Sequence, residues 1–208
     1  MHRSLLCLLV ALPGWGEAQP SKPAQAAAAY QARDWEQAAR LYQEILATQP
    51  SDEATLGNYG LVLYRLERWE EAESLLSEAV QSAPELARCW SALGLLAFRR
   101  GEVELAIAHH LRAVALEPEN ARVHGHLGVA LYEKGWFLGA ETELRRALQL
   151  DPDFADGHYN LAVIYLAKET PAIEMARRHY RRARDLGVPA DEGIEAQLTP
   201  SEIEPSSP

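Results

Sequence analysis

The chain has 208 residues, 48% of them apolar and 8% aromatic, and a formal charge of −10. That apolar share can fill a core. The acidic balance excludes nucleic acid as a ligand, because phosphate recognition needs clustered lysine and arginine on a basic surface. Five acids (Asp191, Glu192, Glu195, Glu202, Glu204) follow residue 190 with no base among them, so the chain before them is only about half as acidic as the total suggests.

The first predicted element is a targeting segment over 1–18. Arg3 gives a basic start, Leu5 to Leu12 (LLCLLVAL) is an apolar run, and Pro13 and Gly14 break it. Gly16 and Ala18 then supply small residues at −3 and −1 of a cut before Gln19. The run falls short of the ~20 apolar residues of a spanning helix. Cys7 follows Leu6, where a lipidation signal wants a small residue. The layout predicts export to the periplasm or the medium, with no membrane span once the segment is cut. The alternative is a membrane tether by an uncleaved N-terminus. Cleavage leaves Cys89 as the remaining thiol, so the fold must hold by packing without an internal disulfide. Cys89 reads as a small buried helix residue, with pairing between chains as the alternative.

From residue 19 onward the chain repeats. Pro50, Pro84, Pro118 and Pro152 stand 34 residues apart, and a fixed period of that length marks a stacked array. The units are 19–52, 53–86, 87–120 and 121–154, with a fifth over 155–190. The fourth (ARVHGHLGVALYEKGWFLGAETELRRALQLDPDF) carries Leu127-Gly128, Ala140, Leu144, Ala147 and Pro152. The third carries Trp90, Leu93-Gly94, Ala106, Ala113 and Pro118, and the second Tyr59-Gly60, Ala72, Leu76, Ala79 and Pro84. The first is alanine-rich at its start, but Ala38, Tyr42, Ile45 and Pro50 keep the frame. This pattern resembles the tetratricopeptide repeat family, whose unit reads W-x2-L-G-x2-Y, then A-x3-F, then A, then P. The resemblance covers roughly 19–190. It implies an all-α fold, an α-solenoid in which about five helix-turn-helix units form a right-handed superhelix with a concave groove.

The residues call for such a shape independently. Gly60, Gly94, Gly128 and Ala162 share one position of the unit, and Ala38, Ala72, Ala106, Ala140 and Ala176 share another. Small residues at both places let two helix axes approach closely. The recurring prolines are expected to end each second helix, since proline lacks the N–H and disfavours helical geometry in the residue before it. In the fifth unit Ala176 comes two residues late, and the extra residues fall around Lys168-Glu169-Thr170-Pro171. Thr170 is expected as the N-cap of the last second helix and Pro171 as its first residue. A tail over 191–208 follows, with Ile194 and Leu198 in a short capping helix over 191–198 and an acidic Pro/Ser-rich end expected to be disordered.

In this family first helices line the groove. The matching positions here are Tyr30, Tyr64, Phe98, Tyr132 and Leu166, and one turn earlier Ala27, Leu61, Leu95, Val129 and Val163. They form an apolar and aromatic stripe on one helix face. Arg65 and Arg99 flank it in one column, Arg88 and Arg122 in another. The predicted partner-binding groove is therefore Tyr64, Phe98, Tyr132, Leu61, Leu95, Val129, Arg65, Arg99, Arg88 and Arg122. A greasy, locally positive floor suits an extended or helical peptide with apolar anchors and acidic groups. The tyrosines also serve as scaffold in such repeats. The lysine, arginine and asparagine clamp of chaperone-tail binders is not matched around Asn58 or Asn160.

The seven histidines show no ligand spacing: His124 and His126 diverge on a helix, and His110 takes the large core position held elsewhere by Leu76 and Leu144. No nucleophile elbow or phosphate loop occurs. The expected function is a non-catalytic interaction scaffold or adaptor of the bacterial cell envelope, needing no cofactor or metal, whose partner is another protein or peptide. The alternative is a scaffold that self-assembles into a homo-oligomer.

Overall fold

The computed structural model describes residues 20–198. The predicted targeting segment and the Pro/Ser-rich end lie outside the described residues. Ten helices pair as α1 (Lys22–Gln31) with α2 (Trp35–Leu46), α3 (Glu53–Arg65) with α4 (Trp69–Ser82), and α5 (Ala87–Arg99) with α6 (Val103–Leu116). The series continues with α7 (Ala121–Glu133) and α8 (Phe137–Leu150), then α9 (Ala155–Leu166) and α10 (Ile173–Asp185). A short α11 (Glu192–Leu198) closes it, and no strand occurs among the described residues. Among them no helix is long and apolar enough to cross a membrane. The molecule is an all-α solenoid of five helical hairpins.

The small positions explain the pairing. Ala38, Ala72, Ala106, Ala140 and Ala176 are wholly buried. Facing them across each hairpin, a Cβ added to Gly60 would lie 2.7 Å from the Leu76 side chain, and one added to Gly128 2.7 Å from Leu144. At Gly94 it would meet the His110 ring at 2.4 Å. Each glycine is thus the hole into which the large residue of the partner helix fits. Burial is distributed among successive apolar clusters along the array. Each hairpin hides its face only against its neighbours.

The turn inside the first four hairpins also recurs. The N–H of Asp34, Arg68, Glu102 and Trp136 donates to the carbonyl of Ala29, Leu63, Ala97 and Leu131 respectively, at 2.8–3.0 Å. That six-to-one bond needs a left-handed residue just before it. Gly101 and Gly135 supply it without strain, whereas Arg33 and Glu67 adopt φ 58° with a side chain present.

The prolines act through the residue ahead of them. Ala83, Glu117 and Asp151 leave the helical region (ψ 80°, 70° and 96°), so α4, α6 and α8 stop two residues before Pro84, Pro118 and Pro152. At the first unit α2 already ends at Leu46, ahead of Pro50. Rings reinforce the later seams. The Trp90 Nε1–H donates to the Pro84 carbonyl at 2.8 Å, and Nε2 of His124 and His158 meets the carbonyls of Pro118 and Pro152 at 3.0 and 3.1 Å.

The fifth unit corrects one expectation. Thr170 and Pro171 do not start α10; its cap is Ala172 and its first residue Ile173. The Ala172 N–H closes the six-residue turn onto the Tyr165 carbonyl at 3.0 Å, and Ile173 packs against the Ala140–Tyr165 cluster. Ile173 occupies the place that Trp69 and Phe137 hold in their units, so an apolar anchor sets the helix start and overrides the capping signal. In α11, Ile194 and Leu198 are buried against the same cluster.

Candidate partner-binding groove

First helices bring one face of α3, α5 and α7 together around a cavity of about 490 Å³. Leu61 and Tyr64 from α3, and Ala92 and Leu95 from α5, give its apolar wall, with Tyr30 of α1 at one end and Phe154 at the other. Phe154 is wedged between α7 and α9: a Cβ on Gly125 or Gly157 would come within 2.6 or 2.7 Å of its ring. Volume and lining are in the range of sites that take a few side chains of a ligand.

Three arginines ring the opening. Arg65 stacks beside Tyr64 with 5.7 Å between guanidinium and ring centroid. Arg88 lies 6.0 Å from the Tyr30 ring and donates to the side-chain oxygen Oδ1 of Asn58 at 2.9 Å. Arg122 follows the cap Asn120, whose side chain accepts its backbone N–H at 3.1 Å. Among the described residues none of the three forms an ion pair with a carboxylate. Glu117 and Asp151 sit at the far rim, where Glu117 accepts from the Asn120 amide and Asp151 from the Asp153 N–H.

The floor is polar. Ser91 Oγ and His126 Nδ1 are 3.2 Å apart, and the His110 ring lies 5.5 Å behind His126. Burial, helped by the positive Arg122 beside it, pushes His126 down to about 4. Burial and the neighbouring His126 push His110 down to about 3. Both rings are therefore neutral at pH 7. His110 is 1% exposed and its Nδ1 has no hydrogen-bond partner.

Of the ten residues expected in the groove, Leu61, Tyr64, Arg65, Arg88, Leu95 and Arg122 meet at this cavity. The other four stand elsewhere. Phe98 packs on the Ala97–Leu127 cluster, and Arg99 lies 4.3 Å over the Trp69 ring in a separate shallow pocket. Tyr132 packs edge-on against Phe137 at 5.5 Å, and Val129 is half-buried on α7 beyond the cavity. The tyrosine column is thus partly scaffold: Tyr30 meets Trp35 and Tyr64 meets Trp69 in the same T-shaped way, each at 5.3 Å. Sequence reasoning passed over Ser91, His126, Asn120 and Phe154. His126 was within reach, since Arg122, His126 and Val129 run i, i+4, i+7 on one helix face.

Arginines outside any ion pair can donate paired hydrogen bonds to carboxylates. Ser91 and His126 offer polar contacts to a backbone, and the leucines an apolar seat. Among the described residues no group of three or more His, Cys, Asp or Glu side chains could hold a metal ion.

Comparison with known proteins agrees with the fold. MamA from Desulfovibrio magneticus RS-1 matches with a TM-score of 0.68 at 19% identity, over 79% of this chain and 92% of that one. A second MamA structure gives 0.66 at 21%, over 83% and 96%. YrrB, described as a TPR protein with an unusual peptide-binding site, gives 0.63 at 24%, over 78% and 82%. No curated protein matches. A family model described as tetratricopeptide repeat matches residues 29–96, and one described as TPR repeat matches 94–135 and 138–168. With five hairpins, a glycine or alanine opposite each large residue and models covering most of the array, the chain belongs to the tetratricopeptide repeat family.

Proposed function

We propose that the chain is an adaptor that docks a segment of another protein in the cavity between α3, α5 and α7. The segment presents at least one carboxylate beside an apolar side chain. One observation carries this reading: Arg65, Arg88 and Arg122 converge on a cavity with an apolar wall, and among the described residues none of them is ion-paired to a carboxylate. Holding three guanidinium groups around a recess in a chain of net charge −10 is an arrangement that an acidic ligand completes. YrrB offers a precedent for a peptide site on this fold, in that protein.

Affinity capture with the wild-type chain beside an Arg65→Ala, Arg88→Ala, Arg122→Ala variant tests it. The expected result is a set of partners lost by the variant; equal recovery by both forms would sink the groove. The sequence of residues 1–18 supports action in the cell envelope. A mature protein that begins at Gln19 is the expected result of N-terminal sequencing, and a cytosolic chain retaining Met1 would rule that out.

A further inference from the structure

Internal comparison of the repeats singles out one edge of the array. At the start of the first three second helices the chain reads Asp34-Trp35-Glu36, Arg68-Trp69-Glu70 and Glu102-Val103-Glu104. A charged residue flanks the apolar anchor on each side. The fourth unit reads Trp136-Phe137-Leu138. Both flanking charges have become large apolar groups, and they are exposed: Trp136 by 56% and Leu138 by 81%. The exchange works against the local helix. The first turns of α2, α4 and α6 each carry an acid, and that of α8 carries none.

The patch does not end there. Of the seven large apolar residues exposed among the described residues, five lie at helix starts on this edge: Leu105 on α6, Trp136, Phe137 and Leu138 at α8, and Met175 on α10. Neighbouring turns are in reach of one another, as the pairing of Lys134 with Glu104 shows. The five side chains leave on the order of 500 Å² of apolar surface, near the top of the range for the largest patch on a monomer.

We infer that this edge is the contact between two copies of the chain, arranged about a two-fold axis. The row is self-complementary. Leu105 lies one unit before the aromatic centre and Met175 one unit after it, so a two-fold axis through the Trp136–Leu138 centre sets Leu105 of one copy against Met175 of the other. Three acids beside the row are already matched: Glu104 with Lys134, Glu102 with Arg100 at 2.7 Å, and Glu174 with Arg177. Covering the row therefore strands none of them. Nor do they leave the net basic rim that would draw an anionic bilayer. The expected affinity is that of a small interface, with half-dissociation on the order of 10 μM. The contact does not involve the groove.

Sedimentation velocity of the full chain from ~1 to ~300 μM reads the equilibrium directly. The expected result is a monomer–dimer transition in the wild type, and a monomer throughout in a Trp136→Asp, Leu138→Glu variant. That variant restores the pattern of the first three units, so its helicity and melting midpoint are expected to be at least those of the wild type. Geometry is read by disulfide trapping in a Cys7→Ser background. Mixed Leu105→Cys and Met175→Cys chains should cross-link to each other faster than either does to itself; Cys89, 3% exposed, does not compete. A wild type that stays monomeric, a variant that dimerises equally well, or preferential Leu105→Cys self-linking would each overturn the inference. So would a monomer that cosediments with phosphatidylcholine–phosphatidylglycerol vesicles in a Leu138-dependent way, which would assign the edge to lipid.

Discussion

The groove and the edge at the starts of α6, α8 and α10 are built on opposite principles. In the groove the apolar side chains are recessed and the charges stand open: Leu61 and Leu95 line the wall while, among the described residues, Arg65, Arg88 and Arg122 are in no ion pair. On the edge the apolar groups stand out and the charges are closed, Glu104 on Lys134 and Glu102 on Arg100. An open charge selects a ligand by complementary charge and is screened by salt. An exposed apolar row gains from area alone and discriminates little. As proposed, one repeating scaffold carries a selective surface and an adhesive one, and the difference lies in a few positions per unit.

The strongest way to break this contrast is to remove the open charges. Replacing Arg65, Arg88 and Arg122 by alanine is expected to weaken binding of a labelled acidic peptide about 100-fold, since each of these exposed charges contributes about 1 kcal/mol to an ion pair with the ligand. Fluorescence anisotropy measures it, and self-association should be untouched. A variant that keeps its peptide affinity removes the distinction between the two surfaces.

The groove floor comes next. Gly94→Leu drives a side chain into the His110 ring, and so toward His126 and Ser91. A loss of about 1–3 kcal/mol is expected from overpacking, read as a lower midpoint by circular dichroism. An unchanged midpoint would mean that α5 and α6 do not approach as described.

His110→Leu should act in the opposite direction. Leucine already fills the equivalent place opposite Gly60 and Gly128, and the substitution removes a buried nitrogen without a partner. A gain of about 1–2 kcal/mol at pH 7 is expected. The change also alters the acid limb. In the folded chain His110 and His126 are held at about 3 and about 4, below the ordinary value near ~6.5 for histidine. The unfolded chain therefore binds more protons as pH falls through that window. Their contribution is whole above pH ~6.5 and is lost progressively on acidification toward pH ~4. Melting curves from pH 7 to 4 should fall less steeply in the variant; parallel curves would mean that His110 does not titrate with unfolding.

Salt gives the smallest effect and the sharpest contrast. Raising ionic strength from ~50 to ~500 mM should weaken groove binding several-fold while leaving the edge contact unchanged or tighter. Equal responses would place both contacts in one class.

The fold was legible because its determinants recur. Gly60, Gly94 and Gly128 return at the interval of the prolines, and period alone implies a hairpin with a hole opposite a knob. Thr170-Pro171 misled because a local capping signal competed with a tertiary one, the packing of Ile173, and burial prevailed. The groove was legible as a face but not as a place. A stripe along five first helices has no end in the sequence. The segments around Asn120 and Phe154, each contributed by the junction to the next unit, decide where it closes into a cavity. Phe98 and Tyr132 belong to the stripe by spacing, yet their rings pack into the array. Trp35, Trp69 and Phe137 recur at the same interval as the tyrosines, five residues later, and could have been read as their partners.

The ring-to-carbonyl bonds at Pro84, Pro118 and Pro152 have a consequence for how such a chain can grow. Acceptor and ring sit on opposite sides of a seam but recur in phase, so a unit copied whole carries its own pair. Genetic duplication anywhere from the second seam onward would lengthen the molecule and leave no carbonyl orphaned. At the first seam Leu56 stands where the ring would be and cannot donate, so the terminal hairpin is the one part that evolution could trim or exchange without disturbing the series.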